Sequence, residues 1–286
     1  MSAGITGYAD ITVRRKDGRV KGQYRMPNAV HDNLRTELRN EVQEGGTMTM
    51  TPRQMVIVLT DAADTTATLR NAAHASGATT PPMLDGSISS DGDDYELSYT
   101  VQGVQFGTLS GTASVESVTL QTEGAVQLAQ TTSGFTGTWA GATFDSDDTL
   151  DVTYTLNFAF SNGNDAVTNI SSLTEAYRTR MVEAVRNGGA NNYLAINRWE
   201  LRRGADGSDP GPTSIVTQTG ALSTDVGTTG CSATITVAPV VSTDRPDTIY
   251  GYTTVNSVVA VVFLITLGGS WVTGSTLVFT PSFSIT

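Results

Sequence analysis

Cysteine is nearly absent. Cys231 stands alone, which excludes an internal disulfide and any cysteine-based zinc site; its simplest reading is a small buried hydrophobe. Lysine is almost as scarce, with Lys16 and Lys21 set against 15 arginines. Histidine occurs only as His31 and His74, neither in a nucleophile elbow nor in metal spacing, so both read as surface residues. No stretch reaches the roughly 20 apolar residues a membrane helix needs. Met1 to Gly7 lacks the charged start and apolar run of a secretory signal. There is no P-loop, no Gly-x-Gly-x-x-Gly after a strand and no Cys/His cluster. Charge is sparse too, at 16% of 286 residues, and its balance is acidic, with 28 Asp and Glu against 17 Lys and Arg. A net charge of −11 argues against a general nucleic-acid binder, which needs a basic face.

What remains is 38% hydrophobic, enough for packed cores, with Thr, Ser, Gly, Asn and Gln filling the rest. The length suggests about two domains on the usual prior of roughly 150 residues each. The first 27 residues differ from the remainder. Ile11 to Lys16, the turn Asp17-Gly18, and Arg19 to Arg25 read as a β-hairpin with a type I′ turn. Its six cations, Arg14, Arg15, Lys16, Arg19, Lys21 and Arg25, against Asp10 and Asp17 give +4, leaving −15 for the other residues. One reading is a solvated edge hairpin blunted by charge. The other is a docking arm that binds acidic neighbours, and deleting residues 1–27 is then expected to leave the rest folded.

A helix follows, with Asn28 or Asp32 as its cap, a Val30, Leu34, Leu38, Val42 face and a Gly45-Gly46 stop. Tyr177 through Met181 and Val185 to Gly188-Gly189 repeats that scheme at an offset of 143. Val255 to Val258 echoes Val115 to Val118, and Thr276 to Phe279 echoes Thr149 to Val152. These matches, in one order, predict a mainly β protein of two tandem antiparallel β-sandwich domains, each preceded by a helix, plus the N-terminal arm. The domains are expected at 1–27 (arm), 28–165 and 166–286. The apolar run from Val258 to Leu267 reads as a strand buried on both faces. Within it Val258, Val261, Phe263 and Ile265 are candidates for a core or assembly contact.

Two acidic turns, Asp91 to Asp94 and Asp145 to Asp148 with Asp151, have the oxygens Ca²⁺ favours. Neither has EF-hand spacing, and solvated turns are the simpler reading. Glu37, Glu41 and Glu44 lie near Arg35 and Arg39, as helix charge pairs would. Asn169-Ile170-Ser171 fits a glycosylation sequon. No cofactor or metal site is expected, and no catalytic constellation.

In organisation the chain resembles virion structural proteins of tailed double-stranded DNA viruses, of bacteria or of haloarchaea. The resemblance rests on the short strand arm, the Pro27-to-Val30 lead into a Leu-x-x-x-Leu-x-x-x-Val helix, the Gly-Gly stop and the Thr/Gly/Ser-rich strand repeats. Few lysines, and 19 Asp against 9 Glu, are similar to the composition of salt-loving hosts, although a high-GC bacterial host also replaces Lys by Arg. The resemblance implies a non-enzymatic subunit of a capsid decoration, turret or tail, in the virion after assembly in the host cytoplasm. Its partners would be copies of itself and other capsid, portal, neck or tail proteins, with no direct nucleic-acid or membrane contact. The alternative is a receptor- or carbohydrate-binding adhesin module using Trp139 and Trp271.

Overall fold

A computed structural model describes residues 2–59, 66–69, 86–92, 94–105, 112–131, 143, 145–161, 168–190, 194–196, 198–202, 214–219, 224–228, 230–232, 234–237, 248–255, 258–267, 277–280 and 282–286. The first half runs β1 (Ser2–Arg14), β2 (Val20–Val30), helix α1 (Asp32–Glu44), β3 (Thr47–Met48), β4 (Gln54–Leu59) and β5 (Thr66–Leu69). It continues through β6 (Ser87–Asp91), β7 (Asp94–Val104), β8 (Val115–Gln121), β9 (Gln127–Thr131) and β10 (Thr149–Ser161). The second half begins with β11 (Thr168–Leu173), helix α2 (Glu175–Asn187), β12 (Gly189–Ala190), β13 (Arg198–Arg202) and β14 (Ser214–Thr219). Then come β15 (Thr224–Val226), β16 (Gly230–Ser232), β17 (Ile235–Val237), β18 (Thr248–Val255), β19 (Val258–Leu267), β20 (Leu277–Phe279) and β21 (Ser282–Ile285).

The protein is mainly β, with a curled, largely antiparallel sheet and two helices among the described residues. Alternation builds the centre. Ala3, Ile5, Ala9, Ile11 and Val13 of β1 face inward, as do Leu150, Val152, Tyr154, Leu156 and Phe158 of β10, and all are buried. Small residues on β1 make room for large neighbours. A side chain at Gly7 would strike the Thr155 carbonyl and sit 2.6 Å from Asn28 Nδ2. β2 turns the corner between sheet layers. It pairs with β1 as far as Pro27, whose missing N–H ends the ladder, and then pairs with β9 from Asn28 to Val30.

The N-terminal hairpin therefore does not stand apart. β1 lies along β10 for its whole length, from Ser2 opposite Ser161 to Arg14 opposite Thr149, and it also pairs with β2 and β21. A boundary at 27/28 falls inside β2. The turn differs from the expected type I′ as well. Gly18 alone takes positive φ (+82°), and Gly18 N donates to Arg15 O at 2.8 Å, the geometry of a longer loop with a glycine bulge.

The helices follow their capping chemistry. α1 starts after His31, with Asp32 in its first turn paired to Arg35 at 3.2 Å; Asn28 and Asp32 do not cap it. α2 starts at Thr174, whose hydroxyl accepts from Tyr177 N. Each ends on a left-handed glycine, Gly45 (φ +69°) and Gly188 (φ +66°), whose N–H returns to the helix. Leu34, Leu38 and Val42 are fully buried, as are Tyr177, Met181 and Val185. Burial of such side chains is worth about 1.5–3 kcal/mol each.

The two halves share a strand order. The path β2-β9-β8-β4-β5 in the first matches β11-β19-β18-β13-β14 in the second, with α1 and α2 following the equivalent strands β2 and β11. The offset of 143 holds from Asp32 to Glu175 and from Met55 to Arg198. It does not hold for Val255 to Val258. Val255 and Val258 face one another at the end of the β18–β19 hairpin, so the counterpart of β8 is β18. The halves also interlock. α1 rests on β9 of its own half and on β16 and β21 of the other, while α2 rests on β19 and on β7.

Candidate functional site

The six hairpin cations are mostly engaged by the chain's own acids. Arg14 Nε meets Asp151 Oδ2 at 2.6 Å, and Lys21 Nζ meets Asp148 Oδ2 at 2.5 Å and Asp145 Oδ2 at 3.9 Å. Arg25 forms a two-pronged pair with Asp10 (2.7 and 2.8 Å) and lies 3.7 Å over the Tyr8 ring. At the exposed tip, Lys16 lies 3.8 Å from Asp147 and Arg19 lies 3.7 Å from Asp17. Arg15 is exposed and makes none of these contacts. The +4 read from residues 1–27 is thus largely neutralised within the molecule, which leaves little free charge for docking.

The same geometry accounts for the second acidic turn. Asp148 Oδ2 accepts from Asp145 N, Asp145 Oδ1 from Asp147 N, and Asp151 Oδ1 from Gly103 N. Lys21 then supplies the positive charge between them, where a metal ion would have to compete with a tethered ammonium. The first turn leaves Asp91 and Asp94 exposed. Among the described residues no three His, Cys, Asp or Glu side chains gather as metal ligands, and no helix is long and apolar enough to cross a membrane.

A second cluster lies where the halves meet. β3 and β12 pair antiparallel, with Thr47 opposite Ala190, its equivalent at the offset of 143. Each half's loop reaches the other half's helix end. Arg53 Nη2 donates to Asn187 O at 2.8 Å, and Ile196 N donates to Val42 O at 3.0 Å. Gly188 is held close to Thr51, where a Cβ would lie 2.9 Å from Cγ2. Glu37 accepts from Thr49 N, Thr49 Oγ1 and Met50 N, all within 2.7 Å, which ties the loop after β3 to α1.

Beside this seam is an open cleft of about 260 Å³, lined by residues that include Met50, Thr51, Arg53, Glu123 and Val126. Buried Gln54 clamps one wall by donating to Thr122 O (2.9 Å) and Glu123 O (2.6 Å). Next to that clamp Ala125 holds φ at +63°, a conformation alanine rarely adopts.

Glu41, on α1, is 4% exposed, and its Oε2 has no hydrogen-bond partner. Burial, reinforced by the charge of Glu37, pushes its carboxyl up to about 7. Among the described side chains Glu37 and Glu41 serve elsewhere than in charge pairs with Arg35, and the Glu44 side chain lies outside the described residues. Glu37 caps the loop, Glu41 is inside, and Arg35 turns to Asp32 and the Val30 carbonyl. The signal missed in the sequence is spacing: Glu41 lies three residues after Leu38 and seven after Leu34, on the apolar stripe.

Val258, Val261, Phe263 and Ile265 fall on β19, which pairs with β18 along Val258 to Thr266 and on its other edge with β11 from Phe263 to Leu267, so among the described residues Phe263 and Ile265 are flanked on both edges and Val258 and Val261 on one. Their side chains lie outside the described residues, as do His74, Trp139 and Trp271. Cys231 is buried on β16. No family model, no curated protein and no solved structure matches this chain.

Proposed function

We propose that this chain is a non-enzymatic structural subunit of a virus particle, of the capsid-decoration, turret or tail kind, built from two diverged tandem β-sandwich units. In this reading it works as a symmetric homo-oligomer and meets other virion proteins through its surface. The observation that carries the reading is the matched strand order of the two halves, with equivalent residues meeting at the β3–β12 seam. That seam is isologous in form, the kind of contact symmetric assemblies use, here placed inside one chain. Stability and register are what such an arrangement supplies. Contact with the rest of the particle narrows to the exposed tip around Arg15, Lys16 and Arg19, since Arg14, Lys21 and Arg25 are held internally. The adhesin alternative rests on Trp139 and Trp271, and no described side chain favours it.

The test is native mass spectrometry of the purified protein, together with cryo-microscopy of particles from its source. The expected result is a closed oligomer and matching density on the particle. A stable monomer present in no assembly would sink the proposal.

A further inference from the structure

Where Glu41 stands on α1, the equivalent position of α2 holds Ala184. Each accepts the N–H of the glycine that stops its helix, Gly45 N to Glu41 O at 3.0 Å and Gly188 N to Ala184 O at 2.9 Å. The carboxyl is thus an addition to a cap that closes without it. It lies against the stop itself, since a Cβ on Gly46 would sit 3.0 Å from Glu41 Oε1. Gly46 leads directly into β3, and the next residue of the helix, Val42, takes the Ile196 N–H from the second half. Glu41 therefore touches the segment that forms one side of the seam.

Among the described residues no cation pairs with this carboxyl, and its Oε2 is buried with no hydrogen-bond partner. On α1 itself Glu37 is held by Thr49 and Met50, Arg35 turns to Asp32, and Arg39 turns to Asn40. The elements packed most closely on α1 are β3, β9, β16 and β21. Their described residues include one titratable side chain, Cys231.

We propose that Glu41 is a proton-operated latch on the seam between the halves. Protonated, it leaves β3 paired with β12; ionised, it opens that pairing and the Ile196 contact so that water reaches the carboxylate. A buried charge without a partner is costly, and the smallest movement that hydrates it is favoured. The β3–β12 ladder has two residue pairs, Thr47 with Ala190 and Met48 with Gly189, a short ladder of the kind that opens before a core does. Gly45, at φ +69°, and Gly46 give the backbone freedom for it to swing. The helix stays in place, because Leu34, Leu38 and Val42 are fully buried. The direction follows from a folded-state carboxyl at about 7: the seam is closed at pH 6 and loosened at pH 8. This latch does not depend on the assembly reading above.

The experiment is residue-resolved amide exchange of the full-length protein at pH 6 and pH 8, corrected for the intrinsic pH dependence of exchange. Expected is an opening of the Gly45 and Ile196 amides that rises about tenfold between the two. A carboxyl passing from about 7 when enclosed to its ordinary 4.5 when hydrated requires that rise. Amides of β1 and β10 stay at least tenfold better protected at both pH values. In Glu41→Gln the seam amides keep their pH 6 protection at pH 8. Glu41→Ala, which copies the sister helix, takes its place should the glutamine variant fail to fold. No rise in the wild type, or the same rise in the variant, overturns the latch. So does equal protection of the seam and of β1 and β10, which makes the opening a global unfolding.

Discussion

Glu41 shows how one residue can set a pH response. Its folded-state carboxyl sits at about 7, whereas the unfolded chain gives it an ordinary value near 4.5. Between those values the folded state holds a proton that the unfolded state has lost, so stability falls as pH rises through that window and levels off above it. The sister helix has Ala184 at the equivalent position, so the carboxylate is not needed to build the helix. Glu41→Gln is expected to flatten the decline and to raise stability at pH 8 by about 1–3 kcal/mol, as removal of an unpaired buried charge should. Melting temperatures of both proteins at pH 5 and pH 8 check this; an equal decline in the variant would refute it. Gly7 makes the opposite kind of prediction. Gly7→Val puts a branched side chain against Asn28 and the Thr155 carbonyl, and is expected to cost 2 kcal/mol or more, as overpacking does (about 1–3 kcal/mol as a rule). Urea midpoints measure it, with Gly18→Ala at the open turn costing only about 1 kcal/mol.

Among the described ion pairs, the one between Lys21 of the hairpin and Asp148 of the turn at 145–151 is the most buried. Asp148 is 6% exposed at its side chain and Lys21 25%, whereas Lys16 and Asp147 are 82% and 74% exposed. Lys21→Ala leaves a nearly buried carboxylate without its cation and should cost about 1–3 kcal/mol. Lys16→Ala should stay within about 0.5 kcal/mol. Denaturation midpoints of the two variants should separate clearly; equal values would mean that the partial burial of Lys21 contributes nothing. The sequence carried part of this level. The helices were legible because four-residue apolar spacing and Gly-Gly stops are local signals, and they recur at a fixed offset. Val258 to Leu267 was legible as a strand from its long apolar run rich in β-branched residues. The role of β1 was not. Its inward positions read Ala, Ile, Gly, Ala, Ile, Val, a weak alternation because the small residues make room for Asn28 and the large residues of neighbouring strands. The partners of the hairpin cations were hidden for another reason: Arg14 and Asp151 lie 137 positions apart, a pairing no local pattern encodes.

For the whole molecule, the pairing of β1 with β10, β2 and β21 argues against the expectation that residues 1–27 can be removed. Deletion would take away β1, with its five buried apolar side chains and the strand between β2 and β10. The truncated chain is expected to lose its near-ultraviolet dichroism and its cooperative unfolding. Separate fragments 1–165 and 166–286 should likewise fail to fold alone, because each helix takes part of its cover from the other fragment. Mixing them should restore cooperative unfolding, and a fragment that melts sharply by itself would refute the interlock. One contact carries this into time. Ile5 N donates to Thr286 O and Thr286 N donates to Ala3 O, and Ser2 lies beside Ser284. On the ribosome, β10 follows β1 by more than a hundred residues, on the order of ten seconds at usual elongation rates. Its β21 partner arrives later still. During that interval β2 can cover one edge of β1 from Tyr8 to Arg14, but the edge that β10 takes waits uncovered, so the nascent chain is most exposed to wrong pairings before β10 and β21 emerge.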